Sequence, residues 1–133
     1  MKALFDAIYT RFSTTNTFNT SVGGRMYFME APQGATFPYA VYFPVSATTD
    51  WTFNDTIDFE EYLIQFSIFS RDESAIEIAN CYEYLKDLYD FCVLSVTGYT
   101  HIHMHRELAI MTRDPDEKIW KYNVDYNVLL EEN

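Results

Sequence analysis

Basic residues are scarce in this chain: nine Lys and Arg stand against twenty Asp and Glu, for a formal net charge of -11 over 133 residues. That balance argues against ordinary nucleic-acid binding, which needs a basic footprint to release counterions. It equally disfavours docking on anionic lipid. Cysteine is nearly absent as well, with Cys81 and Cys92 alone. Both fall in one predicted helix, eleven positions and about 16 Å apart on a straight axis, which is far beyond disulfide reach. They read as small buried hydrophobes in a reducing compartment. No apolar run approaches transmembrane length, and Lys2 leads into an amphipathic pattern, not a secretory leader. The expectation is a protein made in the cytosol and kept there, or in something assembled there. Repeats, low-complexity tracts and long linkers are also lacking, so residues 1–133 are expected to form one domain.

What the chain has in abundance is aromatic surface. Hydrophobic residues make up 48% and aromatics 18%, including eleven Tyr and eleven Phe, which is enough for a real core. One small core cannot easily hide them all, so some should line a partner surface. The acidity has a plain use, keeping such a protein soluble. A narrower use would be to let DNA slide past without sticking.

Leu4, Phe5, Ile8 and Phe12 recur at helical spacing over Lys2–Phe12. Ser13 to Ser21 reads as a loop, Gly23-Gly24 as a turn and Arg25–Met29 as a short strand. Ala31-Pro32-Gln33-Gly34-Ala35-Thr36-Phe37-Pro38-Tyr39 is a rigid approach to a strand at about Tyr39–Val45. Pro38 biases Phe37 toward extended geometry and cannot donate to a ladder. Phe59–Phe69 alternates, with Tyr62, Ile64, Phe66 and Ile68 on one face and Leu63, Gln65, Ser67 and Phe69 on the other. Asp72-Glu73-Ser74 announces a helix, where Ser74 and Glu77 have capping-box spacing and the stripe runs Ile78, Tyr82, Leu85, Tyr89, Cys92. A strand is possible at Val93–Val96. Thr100–Met111 alternates, Asp114-Pro115-Asp116-Glu117 is a hairpin turn, and Ile119–Leu130 is a sharply two-faced last strand. The order predicts an α+β fold, an antiparallel-rich sheet packed by two helices on one face, with a protruding aromatic loop or hairpin.

His101, His103 and His105 form the one tempting metal pattern. On a regular strand their imidazoles would share a face, about 6.6–6.8 Å between neighbouring Cα atoms, and two could hold a zinc. Glu107 continues the parity. The simpler reading is a polar strand face with Ile102 and Met104 turned to the core, favoured because no other metal-ligand spacing supports a site. The clustered acids sit in turns and at the terminus, where solvated faces are the ordinary outcome. No Ser/His/Asp or Cys/His arrangement has a recognisable setting, and Val22-Gly23-Gly24-Arg25 lacks a phosphate-loop lysine. No catalytic residue and no cofactor are predicted. Trp51-Thr52-Phe53-Asn54-Asp55, between turn formers of Ser46–Asp58, is the better candidate: an arm inserted into a neighbour, or a hairpin tip packed on its own sheet.

The layout of N-terminal helix, Val22-Gly23-Gly24-Arg25-Met26-Tyr27, Ala31-Pro32-Gln33-Gly34, Phe37-Pro38-Tyr39, and Phe69-Ser70-Arg71 before a long helix resembles the tail-completion, or tail-terminator, proteins of long-tailed bacteriophages. The resemblance implies a structural virion protein, assembled in the host cytoplasm, with no substrate or cofactor. Such a protein forms a ring, typically a hexamer, that caps the tail tube and joins tail to head. Its partners would be further copies of itself, the tail tube protein and a head-completion or connector protein, with DNA passing through unbound and no membrane involved. Trp51, Phe53 and Asn54 are then the candidates for the oligomer or tube interface. Part of the group Asp50, Asp55, Asp58, Glu60 and Glu61 would line the channel. The alternatives are a head-closure or neck adaptor, a small metal enzyme using His101, His103 and His105, and a monomeric binding module with an aromatic surface.

Overall fold

A computed structural model of the chain describes residues 2–51 and 57–133, with the side chains of 50, 51, 57 and 58 outside the described set. The elements run α1 (Lys2–Ser13), α2 (Thr17–Ser21), β1 (Met26–Phe28), β2 (Tyr39–Trp51), β3 (Ile57–Ser70), α3 (Ile76–Tyr89), β4 (Tyr99–Asp114) and β5 (Ile119–Glu132). The strands form one sheet in the order β1-β2-β3-β5-β4. Every pairing is antiparallel except β1 with β2. The predicted α+β class holds.

The helices cover one sheet face. α1 contributes Leu4, Ile8 and Phe12, and α3 contributes Ile78, Leu85 and Tyr89. They meet Tyr62, Ile64, Phe66 and Ile68 of β3 and Val124, Tyr126, Val128 and Leu130 of β5, all within one buried cluster. Period-two alternation on both strands put these residues on one side, and their burial supplies the main driving force. Buried tyrosines find acceptors on helix carbonyls: Tyr89 donates to Ile8 at 2.8 Å, and Tyr42 to Phe5 at 3.3 Å. Arg11 closes the layer by donating from Nε to the Leu88 carbonyl at 2.7 Å.

Several expectations need correction. The Ser13–Ser21 segment contains α2, so the described residues form three helices and not two. Asn16 caps it by accepting from the Asn19 amide at 2.7 Å, and Phe18 is buried, which anchors a turn whose composition reads as loop. The capping box does not form. Ser74 Oγ accepts from Ile76 N, while Glu77 is taken by the Ser70 hydroxyl at 2.7 Å. α3 ends at Tyr89, so Cys92 lies beyond the helix that holds Cys81. Both thiols are nevertheless buried and free. Val93–Val96 is loop, not strand. β2 runs on to Trp51, so the expected irregular segment from Ser46 pairs with β3 in a long hairpin.

Candidate functional site

The open face of the sheet, away from the helices, carries the site. Arg25 donates from Nε to the Pro38 carbonyl at 3.1 Å and from Nη2 to the Phe37 carbonyl at 3.4 Å. The guanidinium reaches them because Gly23 and Gly24 adopt φ of 62° and 74°. A Cβ on Gly23 would fall 2.5 Å from Arg25 Nη1 and force the guanidinium to move, and the positive φ itself disfavours a side chain there. The Phe37–Pro38 bond is cis. This latch holds the proline loop over the end of β2 and β3.

Beneath the loop lies an open groove of about 670 Å³, floored by Tyr39, Phe43 and Phe69 and walled by Phe37 and Pro32. Tyr39 stacks on Phe69 with centroids 4.9 Å apart and meets Phe37 at 5.1 Å. Two cations and one carboxylate, Glu30, border the groove. Arg71 lies 4.6 Å over the Phe37 ring, and Lys121 lies 5.5 Å over Phe69. Just beyond, Arg113 sits 4.5 Å over Trp120, whose indole N–H donates to the Asp72 carbonyl. Among the described residues none of these three cations has a carboxylate within 4.0 Å. An exposed cation–π contact contributes about 0.5–1 kcal/mol, whereas a hydrogen bond to a charged group contributes about 1.5–3 kcal/mol. The rings therefore orient the cations while leaving them the capacity to take a carboxylate. Burial raises the Tyr39 hydroxyl above its usual range, against the opposing pull of Arg71, so it stays a neutral donor.

The two ends of the sheet differ in their cations. Arg71, Arg113 and Lys121 lie at the end where β3 stops and β5 begins, beside Asp72, Asp114, Asp116 and Glu117. At the opposite end, residues 46–61 and 123–133 contain no Lys or Arg but hold Asp50, Asp55, Asp58, Glu60, Glu61, Asp125, Glu131 and Glu132. Glu60 and Glu61 take opposite faces. Glu61 accepts from Asn127 Nδ2 at 2.6 Å on the open face, and Glu60 lies beside the Tyr99 hydroxyl on the other. Asp50, Trp51 and Asp58 lie on strand backbone with side chains outside the described residues, and Phe53, Asn54 and Asp55 lie outside them altogether.

The histidines do not share one face. A bulge at Ile102 shifts the β4–β5 register, so that His101 pairs with Leu130 and His103 with Leu129. His101 thereby turns to the helix side, where its Nδ1 accepts from Leu94 N at 3.2 Å. His103 and His105 stay on the open face with centroids 4.4 Å apart. Met104 is fully buried as expected, but Ile102 is largely exposed. Among the described residues, no three His, Cys, Asp or Glu are placed to hold a metal ion together.

Arg71 closes the phrase Phe69-Ser70-Arg71, but nothing local in the sequence assigns a role to Lys121 or Arg113. Lys121 reaches Phe69 only through the β3–β5 register, a pairing across fifty residues with no local signal.

The chain is thus a two-layer α+β fold with an aromatic groove at one end of its sheet and the β2–β3 hairpin at the other. The chain belongs to the tail completion protein gp17 family, whose profile matches residues 6–131. Family membership makes it a structural protein of a phage tail and places it in the virion. Among solved structures, a chain described as "Virion of native gene transfer agent (GTA) particle" superposes with a TM-score of 0.83 at 11% identity, covering 95% of this chain and 92% of that one. At that identity the likeness is one of fold. No curated protein matches.

Proposed function

We propose that this chain acts as one unit and assembles head to tail into a ring, of six copies as the family resemblance implies, that caps the tail tube and joins the tail to the head. The observation that carries the reading is the family match over residues 6–131. The fold shared with a chain of a gene transfer agent particle supports it. Two features of the chain supply the physical means. The β2–β3 hairpin continues past the last β3–β5 pair, Phe59 with Glu131, to the pair Trp51 with Ile57, and in this reading Trp51, Phe53 and Asn54 make the oligomer or tube interface. Part of the group Asp50, Asp55, Asp58, Glu60 and Glu61, at the acidic end of the sheet, faces the channel in this reading, where like charge lets DNA pass without adhering. A ring of head-to-tail contacts closes when the rotation between neighbours is right.

In this reading the partners are further copies of the chain, the tail tube protein and a head-completion or connector protein. No cofactor takes part and no residue is catalytic. The test is mass spectrometry of purified particles after separating tails from heads. Recovery with the tails at several copies per particle supports the ring, and absence from intact particles would sink it. Recovery with the heads instead would make the protein a neck adaptor. A ring structure with all five acids on the outer rim would remove the channel assignment alone.

A further inference from the structure

Resting on the ring reading, we propose that the aromatic–cationic groove beneath the proline loop receives the β2–β3 hairpin tip of a second copy of this chain. The groove supplies Tyr39, Phe43 and Phe69 as an apolar floor, with Arg71 and Lys121 at its border. The tip, residues 50–58, reads Asp-Trp-Thr-Phe-Asn-Asp-Thr-Ile-Asp. Its two large aromatics match the ringed floor, and its three aspartates match two cations that have no carboxylate partner among the described residues.

Geometry settles which copy supplies the tip. Trp51 pairs with Ile57, which fixes the tip at one end of β3, while the groove lies at Phe69 and Arg71 beyond the other end. Twelve residues of strand span about 40 Å, so a chain cannot fill its own groove. A tip at one end and a groove at the other make a heterologous contact, the kind that propagates around a ring. The proline loop has a reason for its latch: Arg25 holds Phe37 and Pro38 in place so that the groove is formed before its occupant arrives.

The experiment is zero-length carbodiimide cross-linking of purified tails, read by peptide mass spectrometry, beside the copy number per tail. The expected product joins Lys121 to one of Asp50, Asp55 or Asp58, and the distance along β3 makes that link one between copies. Several copies per tail with Lys121 linked to a carboxylate of another protein, or to none, overturns the groove assignment and leaves the ring standing. One copy per tail overturns the ring itself. Charge reversal gives an independent reading. R71E/K121E and D50K/D55K/D58K should each lower incorporation into tails by about tenfold, and the five substitutions together should restore it. Failure of the combined variant, with an unchanged melting transition, counts against the proposal. If R71E/K121E melts early, R71Q/K121Q should still weaken incorporation, and full incorporation of that folded variant would also overturn it.

Discussion

Arg25 donates from Nε to the Pro38 carbonyl at 3.1 Å, tying the Gly23-Gly24 turn to a loop thirteen residues on. The same side chain reaches the Phe37 carbonyl, and Arg71 lies over the Phe37 ring. Three short phrases that are separate in sequence thus meet at one point of the fold. Arg25→Ala removes two hydrogen bonds from a charged donor in a half-buried position, and should lower stability by about 1–3 kcal/mol. Urea unfolding followed by fluorescence measures the loss. Gly23→Ala should do comparable harm by a different route, through a positive φ and a Cβ driven into the guanidinium. Midpoints unchanged in both variants would show that the latch carries no stability.

Those phrases were legible as sequence, but their meeting was not. Alternation exposed the inner face of β3, because Tyr62, Ile64, Phe66 and Ile68 sit two apart between polar or mixed neighbours. α2 escaped because five residues, Thr17–Ser21, form a helix through one Asn16 cap and one buried Phe18, neither of which makes a periodic pattern. The histidine strand was misread for a sharper reason. Parity assumes an unbroken pleat, whereas a bulge belongs to a pair of strands and is not visible in either alone. The cations of the groove were hidden likewise, since Lys121 meets Phe69 through a register set by the whole sheet.

Asp90 joins β4 and β5 to the end of α3. Its carboxylate accepts from the Tyr126 hydroxyl and faces Arg106 Nη2 at 3.2 Å, while Arg106 also donates to the Tyr82 hydroxyl. Burial, and then the Asp90 carboxylate, push the Tyr126 hydroxyl well above the usual tyrosine range, which keeps it a donor at any working pH. Tyr126→Phe should cost about 0.5–1.5 kcal/mol. Asp90→Ala should cost more, about 1–3 kcal/mol, because it strands two donors in a partly buried site. The double variant should lose less than the sum of the two, as groups in one network do not act independently. Strict additivity in a double-mutant cycle would dissolve the network.

His101 should make the fold acid-sensitive. Burial, opposed by a hydrogen bond with the His103 backbone and aided by the neighbouring His103 ring, lowers its pKa from the usual 6.5. Its Nδ1 already accepts from Leu94 N, which suits a neutral ring. A depressed folded value means the unfolded chain binds the proton first. The stabilising effect is complete above pH 6.5 and is lost as pH falls through the folded value. His101→Asn keeps an acceptor for Leu94 and abolishes the titration. The variant should therefore gain on the native chain as pH is lowered from 7.5 to 5.5, in denaturant midpoints measured side by side. A gap that stays constant over that window would assign the acid response elsewhere.

Trp51→Ala separates the two roles open to the hairpin. Among the described residues, β2 gives the buried cluster Ala40 and Tyr42, at the end of that strand away from residue 51. If Trp51 serves a neighbour, its truncation should change monomer stability by no more than about 0.5 kcal/mol, as surface substitutions do. Incorporation into tails should meanwhile drop sharply, because a central aromatic anchor is where binding energy concentrates. Thermal unfolding of the purified chain and quantitative mass spectrometry of tails read the two effects independently. A lowered or lost melting transition would instead place Trp51 against its own sheet, and the arm would cease to be the contact that builds the ring.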